Sequence, residues 1–375
     1  MLRHSFSGLT TSVEGAPAER VSQNEILNGN LEDFFHGAGG GPDESLNIEG
    51  NSALCDVANV IATTERLAGS DHEIFTAGSW KDGEPLKLKS LALDVSSCIR
   101  VDFDRISGLF PLSDFNPHFK IFKDLVEALD PRLLGMYKLT HPLNQREWAD
   151  TVLTLNGFVA EIRKRANQAD FVKLIRHYAR KANKNQSGLN SYIDKLFEYK
   201  SRLLVVRVDL SYSESYSVSE QPVSYEEAYK HRVELLDALR YRLFKDSYVG
   251  FAWKLEFGLI SSLHYHLLLF LDGSRVRLDV RVAKIIGEYW NHEVTRGRGR
   301  YWNCNANKAS YGKFCGLGMI NHSDYILRGN LKKAASYLVK SDYYVRSVVP
   351  SKRRTFGKGI PPARAKSNRG RPRHE

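Results

Sequence analysis

Two histidines, His264 and His266, stand at the head of the apolar run "HYHLLLFLDG", and Glu256 lies eight residues before the first of them. Imidazoles are poor company for such a run unless something occupies them. Residues two apart on a strand project from the same side. Folding residues 248–272 as a hairpin with its loop centred on Ile260 sets Glu256 opposite His264 and Lys254 opposite His266, and cross-strand partners share a side of the sheet. Glu256, His264, His266 and Lys254 then form one polar side, while Leu255 with Tyr265, Trp253 with Leu267 and Phe251 with Leu269 form an apolar one. A slip of one residue would mix the two sides. Two imidazoles and a carboxylate converging in this way can hold a divalent cation with positions left open for substrate. Zinc-hydrolase, non-haem iron and cupin chemistries compete for the same residues, as does a histidine pair satisfied by neighbours on a solvated face. No acid follows His266 at the spacing a cupin needs.

A second set of reactive types lies near the end of the chain. Leu331, Ala334, Leu338 and Val345 recur as a helical core stripe; Lys333, Tyr337, Lys340 and Tyr344 fall at spacings of four, three and four on a neighbouring face. A phenol between lysines has its phenolate favoured by positive charge, which suits attack on an anionic phosphate. The alternative is an amphipathic helix whose lysines snorkel.

A sheet and a helix must bring these residues together, and the pattern from residue 200 onward supplies both. "RLLVVRVDLSY" alternates as a strand, and "SYEEAYKHRVELLDALRYRLF" opens with the capping box Ser224 and Glu227, so it reads as a helix. Two strands, "YVGFAWKLEFG" and "LHYHLLLFLDG", precede a helix over about 279–295, the strand "RYWNCN" and the helix "LKKAASYLVKSDYYVR". The order β-α-β-β-α-β-α predicts an α+β fold, an antiparallel sheet with helices against one face. Residues 47–195 read as a mainly helical accessory region. Its clearest helix starts near Asn144 and Glu147 and carries Trp148, Val152, Leu155, Val159 and Ile162 on one face. "ADFVKLIRHYARKA" and "LNSYIDKLFEYK" read as two further helices, their basic and aromatic residues as solvated face and core. Residues 1–46 are polar and glycine-rich, and disorder is expected there.

Hydrophobic residues make up 42% and charged residues 26% of the 375, the balance of a globular protein. With no apolar run near about 18 residues and no secretory start, a soluble, cytoplasmic protein without membrane contact is expected. Cys55, Cys98, Cys304 and Cys315 form no CxxC pair and read as buried free thiols. The net charge of +11 is concentrated: residues 346–375 hold ten Lys/Arg against Glu375 alone, net +9, while the rest carries 44 basic and 42 acidic side chains. Such a tail favours a polyanion, most often nucleic acid, with a membrane surface or solubilisation as the other readings. Within it "RGRPR" presents Arg369, Arg371 and Arg373 as an AT-hook core for a narrow minor groove, or as general phosphate contacts. Arg207 and Asp209 share the polar side of the first strand, as DNA contacts, as supports for the site or as a solvated ion pair. Tyr301, Trp302 and Tyr311 are candidates for base stacking or for core packing.

On these residues the C-terminal half resembles the HUH endonucleases, the rolling-circle replication initiators and relaxases. "HYH" matches their His-hydrophobe-His strand, "YLVK" (Tyr337 to Lys340) their single-tyrosine YxxK motif, and "LLVVRVDL" their first-motif strand. More narrowly, residues from about 200 to 357 are similar to the inovirus gene II-type replication proteins, including the prophage YagK/YfjJ proteins. "HYHLLLFLDG", "FCGLGMI", "ASYLVK" and "RTFG" carry the likeness, the last a family mark without an assigned role. The resemblance implies an HUH nuclease domain over 196–348, a central antiparallel sheet flanked by helices, with a basic DNA-binding tail over 349–375. It implies that His264, His266 and Glu256 hold Mg²⁺ or Mn²⁺, that Tyr337 attacks the scissile phosphate, and that Lys340 steadies the developing charge. Lys333, Lys254 and Arg207, with Arg369, Arg371 and Arg373, would contact DNA. The activity implied is nicking and rejoining of single-stranded DNA at a phage or prophage origin, with host replication proteins as further partners. Position 341 holds Ser341 where double-tyrosine initiators carry a second tyrosine, so one nucleophile is expected and Tyr344 stays open. A transposase or relaxase would use the same residues, and a DNA-binding regulator on a degenerate scaffold is the reading from a different class.

Overall fold

The computed structural model describes residues 44–76, 90–110, 113–129, 145–213, 223–257, 263–347 and 354–362. Most of the glycine-rich start, and the segment holding Arg369, Arg371 and Arg373, lie outside them.

The N-terminal part is helical: α1 (Glu44–Ala68), α2 (Ser90–Ile99), α3 (Phe103–Leu109), α4 (Pro117–Glu127) and α5 (Gln145–Ala166), with the short strand β1 (Ser113–Phe115) before α4. Helix α1 begins inside the stretch where disorder was expected. Asn116 starts α4 by accepting the His118 amide, and Pro117 in the first turn lacks a donor that would go unpaired anyway. The periodic face of α5 is real: Val152, Leu155, Val159 and Ile162 are buried with Val57, Ile61, Phe119 and Phe122 in one core. Asn144 and the Trp148 side chain fall outside the described residues.

Helix α6 (Ala169–Tyr199) is one rod of 31 residues where the sequence reads as two helices. Gly188 in its middle costs about 1 kcal/mol against alanine. That is too little to end a helix whose second half buries Leu189, Tyr192, Ile193, Leu196 and Phe197. It therefore runs through the domain boundary expected at residue 196.

The C-terminal part follows as β2 (Arg202–Tyr212), α7 (Tyr225–Ala238), β3 (Tyr248–Phe257), β4 (Leu263–Asp272), α8 (Asp279–Tyr289), β5 (Gly299–Asn303), β6 (Gly318–Asn321), α9 (Tyr325–Tyr344), β7 (Val345–Ser347) and β8 (Phe356–Lys358). Six strands form an antiparallel sheet in the order β5-β2-β4-β3-β8, with β6 also on β2. Strands β5 and β6 share one edge of β2, the first against Val208–Tyr212 and the second against Arg202–Val205. Asn305 closes the gap between them, accepting the Arg207 amide at 2.8 Å and donating to the Val205 carbonyl at 3.0 Å. Separately, β1 pairs with β7 and ties the N-terminal helices to the end of α9.

Helices cover both faces of the sheet, not one as the element order suggests. Helices α7 and α8 pack on Leu204, Val206, Val208, Leu255, Leu267 and Leu269. Helices α6 and α9 pack on Leu203, Val205, Ala252, Leu268 and Phe270. The unbroken apolar run of β4, Leu267 to Leu271, is the mark of a strand buried on both sides. Two quoted family stretches turn out to be strands: "FCGLGMI" runs into β6, and "RTFG" into β8, beyond the boundary expected at 348.

Candidate active site

The hairpin register is the one the residue pattern predicts. Glu256 faces His264, Lys254 faces His266, and Leu255, Trp253 and Phe251 face Tyr265, Leu267 and Leu269. The register shifts only between Tyr248 and Gly250. There α6 comes so close that a Cβ on Gly250 would lie 2.2 Å from the Tyr192 hydroxyl. Tyr265, between the two histidines, points to the opposite core and donates to the Ala228 carbonyl at 3.1 Å, which pins the strand to α7.

The polar side is less wet than the sequence suggests, because α6 and α9 lie over the same face. His266 is buried, and the Glu256 and His264 side chains keep 18% and 23% of their surface, so the cluster opens toward His264. Two nitrogens converge on one oxygen: His266 Nε2 lies 3.3 Å and His264 Nε2 3.6 Å from Glu256 Oε2. On its other side His266 Nδ1 lies 2.8 Å from Asp209 Oδ1. The Arg207 Nε and Nη2 each donate to the Asp209 carboxylate at 3.2 Å. Strand alternation explains the grouping, since Arg207 and Asp209 on β2, Lys254 and Glu256 on β3, and His264 and His266 on β4 all share one side.

The charges hold one another in place. Burial acts to raise the carboxyls of Asp209 and Glu256, yet both stay well below the usual range, Asp209 through Arg207 and His266, Glu256 through hydrogen bonds from His264 and His266. Burial acts to lower the His266 imidazole, and Asp209 and Glu256 overcome it and push it up to about 9. Glu256, His264 and His266 each offer a ligand atom, all within 4.8 Å of one another. A mixed nitrogen and carboxylate set suits a divalent cation. With Nδ1 turned to Asp209, Nε2 of His266 is the nitrogen left to ligate, the carboxylate–histidine support common around metals. The residues present therefore fit a divalent ion.

Two residues expected to touch DNA are buried beside the site. Lys254 and Arg207 are buried, at 1% and 5% exposure, and so are not offered to a phosphate on the surface. The cover of α6 and α9 over this face is the reason. Lys333 on α9 is exposed, its ammonium 5.6 Å from the Phe314 ring. Tyr337 and Lys340 lie in α9, but their side chains are outside the described residues. Their neighbours Leu338 and Val339 are buried against the sheet face that bears the histidines, in a stripe with Leu331 and Ala335; Ala334, expected in it, is half-buried. Tyr344 points the other way, into the core of the N-terminal helices, where burial and Glu65 push its phenol up to about 12. Tyr301, Trp302 and Tyr311 all pack partly against the two sheet cores. The sequence reading left Asp209 among several roles and missed Asn305, for which one sequence carries no signal.

A family model for the YagK/YfjJ C-terminal domain matches residues 166–359, just over half of the chain. The chain belongs to this family. The match takes in all of α6, which the boundary at 196 would cut, and β8, which lies beyond the boundary at 348, and it stops before the basic segment with Arg369. No curated protein and no solved structure matches the chain. No helix among the described residues is long and apolar enough to cross a membrane.

Proposed function

We propose that this protein is a replication initiator of the HUH type, a tyrosine endonuclease that nicks and rejoins single-stranded DNA at a phage or prophage origin inside the bacterial cell. The observation that carries the reading is an adjacency: the helix bearing Tyr337 packs on the sheet face that bears Glu256, His264 and His266. A water-using metallonuclease has no need of a tyrosine helix there.

Glu256, His264 and His266 would hold Mg²⁺ or Mn²⁺, which when bound supplies positive charge to the scissile phosphate. Asp209 keeps the Nδ1 proton of His266 and so orients its other nitrogen. The Tyr337 phenol loses its proton and its oxygen forms a bond to phosphorus, while the bond from phosphorus to the 3′ oxygen breaks and that oxygen takes a proton. The products are a 5′-phosphotyrosine and a free 3′-hydroxyl that host polymerase can extend. Lys340 steadies the charge on the phosphate. The covalent link conserves the phosphodiester for rejoining.

The test is a denaturing gel of wild type, Tyr337→Phe and Tyr344→Phe with labelled single-stranded origin DNA and Mn²⁺. An adduct in wild type and Tyr344→Phe, absent in Tyr337→Phe, supports the assignment. Cleavage without adduct overturns it in favour of a hydrolase. Binding with neither cleavage nor adduct overturns it in favour of a regulator.

A further inference from the structure

Only the second half of α6 packs on the sheet; the first half carries a surface of another kind. Between Asp170 and Asp194 the helix has no carboxylate, yet it holds Lys173, Arg176, His177, Arg180, Lys181 and Lys184. All six are exposed. Lys173 pairs with Asp170 at 3.1 Å, whereas among the described residues Arg176, Arg180, Lys181 and Lys184 pair with no carboxylate. Exposed helices of ordinary solvated type mix their signs, as α7 does with Glu226, Glu227, Lys230, Glu234 and Asp237. A run of cations without acids leaves a field that only an anionic partner neutralises.

The stripe also has a grammar. Arg176, Arg180, Asn183 and Ser187 follow one another at four, three and four, so they project from one side of the helix, and all are exposed. Lys173, His177, Lys181 and Lys184 flank them. Arginine, asparagine and serine are the types that reach base edges, while lysine serves the phosphates. The stripe spans roughly 16 Å of helix axis at 1.5 Å per residue, and the major groove, about 12 Å wide, admits an α-helix. It lies round the helix from Leu189, Ile193 and Leu196, which face the sheet, so it is separate from the candidate active site.

We propose that this face of α6 is a second nucleic-acid site, one that docks in the major groove of duplex DNA and reads sequence there. Arg176, Arg180, Asn183 and Ser187 meet the bases, and Lys181 and Lys184 hold the flanking phosphates. The choice of DNA as the polyanion rests on the proposed function; the surface itself needs neither metal nor Tyr337.

The experiment uses the full chain carrying Tyr337→Phe, in EDTA, so that binding is read without chemistry. A pool of random-sequence duplexes is bound and the retained fraction sequenced, then affinities are measured across a salt series. Wild-type α6 should enrich a sequence motif. Arg176→Gln with Arg180→Gln should weaken the enriched duplex at least tenfold and relax the motif; Lys181→Gln with Lys184→Gln should weaken all duplexes alike and reduce the salt slope by about two. All four side chains are exposed, and unchanged thermal melts in both doubles establish intact folds. No motif, or the same motif and affinity in the arginine double, overturns the proposal. So does a double that binds duplex normally while losing single strands or anionic vesicles. Adduct formation by the unmutated tyrosine is scored separately, so failure of the nicking reading is distinguishable.

Discussion

The Nδ1 of His266 stands 2.8 Å from Asp209, and the same carboxylate takes two donors from Arg207. One acid thus does two jobs: it orients the imidazole and neutralises a buried guanidinium. Asp209→Asn keeps the shape and removes the charge. Mn²⁺ affinity by calorimetry should fall roughly 10- to 100-fold, the usual effect of losing such a support. Stability in urea should fall by about 3–5 kcal/mol, because the buried Arg207 guanidinium loses the carboxylate charge that balances it. Wild-type Mn²⁺ affinity in this variant would mean that the His266 ring is held by something other than Asp209.

Glu256 answers a different question, whether the cluster is a ligand set at all. Its carboxylate is the only acid facing both Nε2 atoms among the described residues. Glu256→Gln should eliminate measurable Mn²⁺ binding and the adduct, with far-UV circular dichroism unchanged. Since Asp209 is committed to Nδ1, it cannot step in as the third ligand without turning the ring. Mn²⁺ binding at wild-type strength by Glu256→Gln would end the metal assignment.

The hairpin was legible because its two sides differ in chemistry residue by residue, so burial leaves a single register. The face of α5 was legible for the same kind of reason, a period of 3.6 carried by large apolar residues. What escaped were relations between distant segments. Nothing local in "FGK" distinguishes an edge strand of three residues from a tail. Nothing in Lys254 or Arg207 says that α6 and α9 cover them, although the five apolar residues of β4 in a row were a clue to a sheet buried on both faces. The union of two helical stretches into α6 was hidden by Gly188, whose penalty is local while the packing that outweighs it is not.

The N-terminal core carries its own pH dependence. Burial pushes the His118 imidazole down from 6.5 to about 4. Below pH 6.5 the unfolded chain takes up a proton that the folded one refuses until about pH 4, so this stabilisation is complete above 6.5 and lost as pH falls through that window. The full loss is roughly 3 kcal/mol. Glu65, with Oε1 3.6 Å from His118 Nδ1, works in the opposite sense, since burial raises its carboxyl and the folded state then binds that proton more readily. Comparison with His118→Phe isolates the histidine. Between neutral pH and about pH 4.5, wild type should lose roughly 2–3 kcal/mol more in urea unfolding than the variant does. Equal losses would show that His118 is not buried neutral.

The C-terminal end separates into a strand and a tail, and two truncations should tell them apart. Strand β8 pairs Phe356, Gly357 and Lys358 with Lys254, Trp253 and Ala252. The Leu255 amide donates to the Thr355 carbonyl at 2.7 Å, and the Gly359 amide to the Phe251 carbonyl at 2.9 Å. Gly357 lies so flat on Trp253 that a Cβ there would stand 2.7 Å from the indole. A chain ending at Pro350 loses all of this and exposes the β3 edge beside Lys254, an unpaired row that invites aggregation. A chain ending at Pro362 keeps the strand and loses only Arg364, Lys366, Arg369, Arg371, Arg373 and Glu375 among its charged groups, a net of +4. The shorter chain should melt several degrees lower and lose Mn²⁺ binding. The longer one should match the intact protein in both, while binding DNA more weakly and with a salt slope smaller by up to about 4. Equal melting temperatures for the two truncations would remove β8 from the fold's requirements. An unchanged salt slope in the longer one would remove the tail from DNA binding.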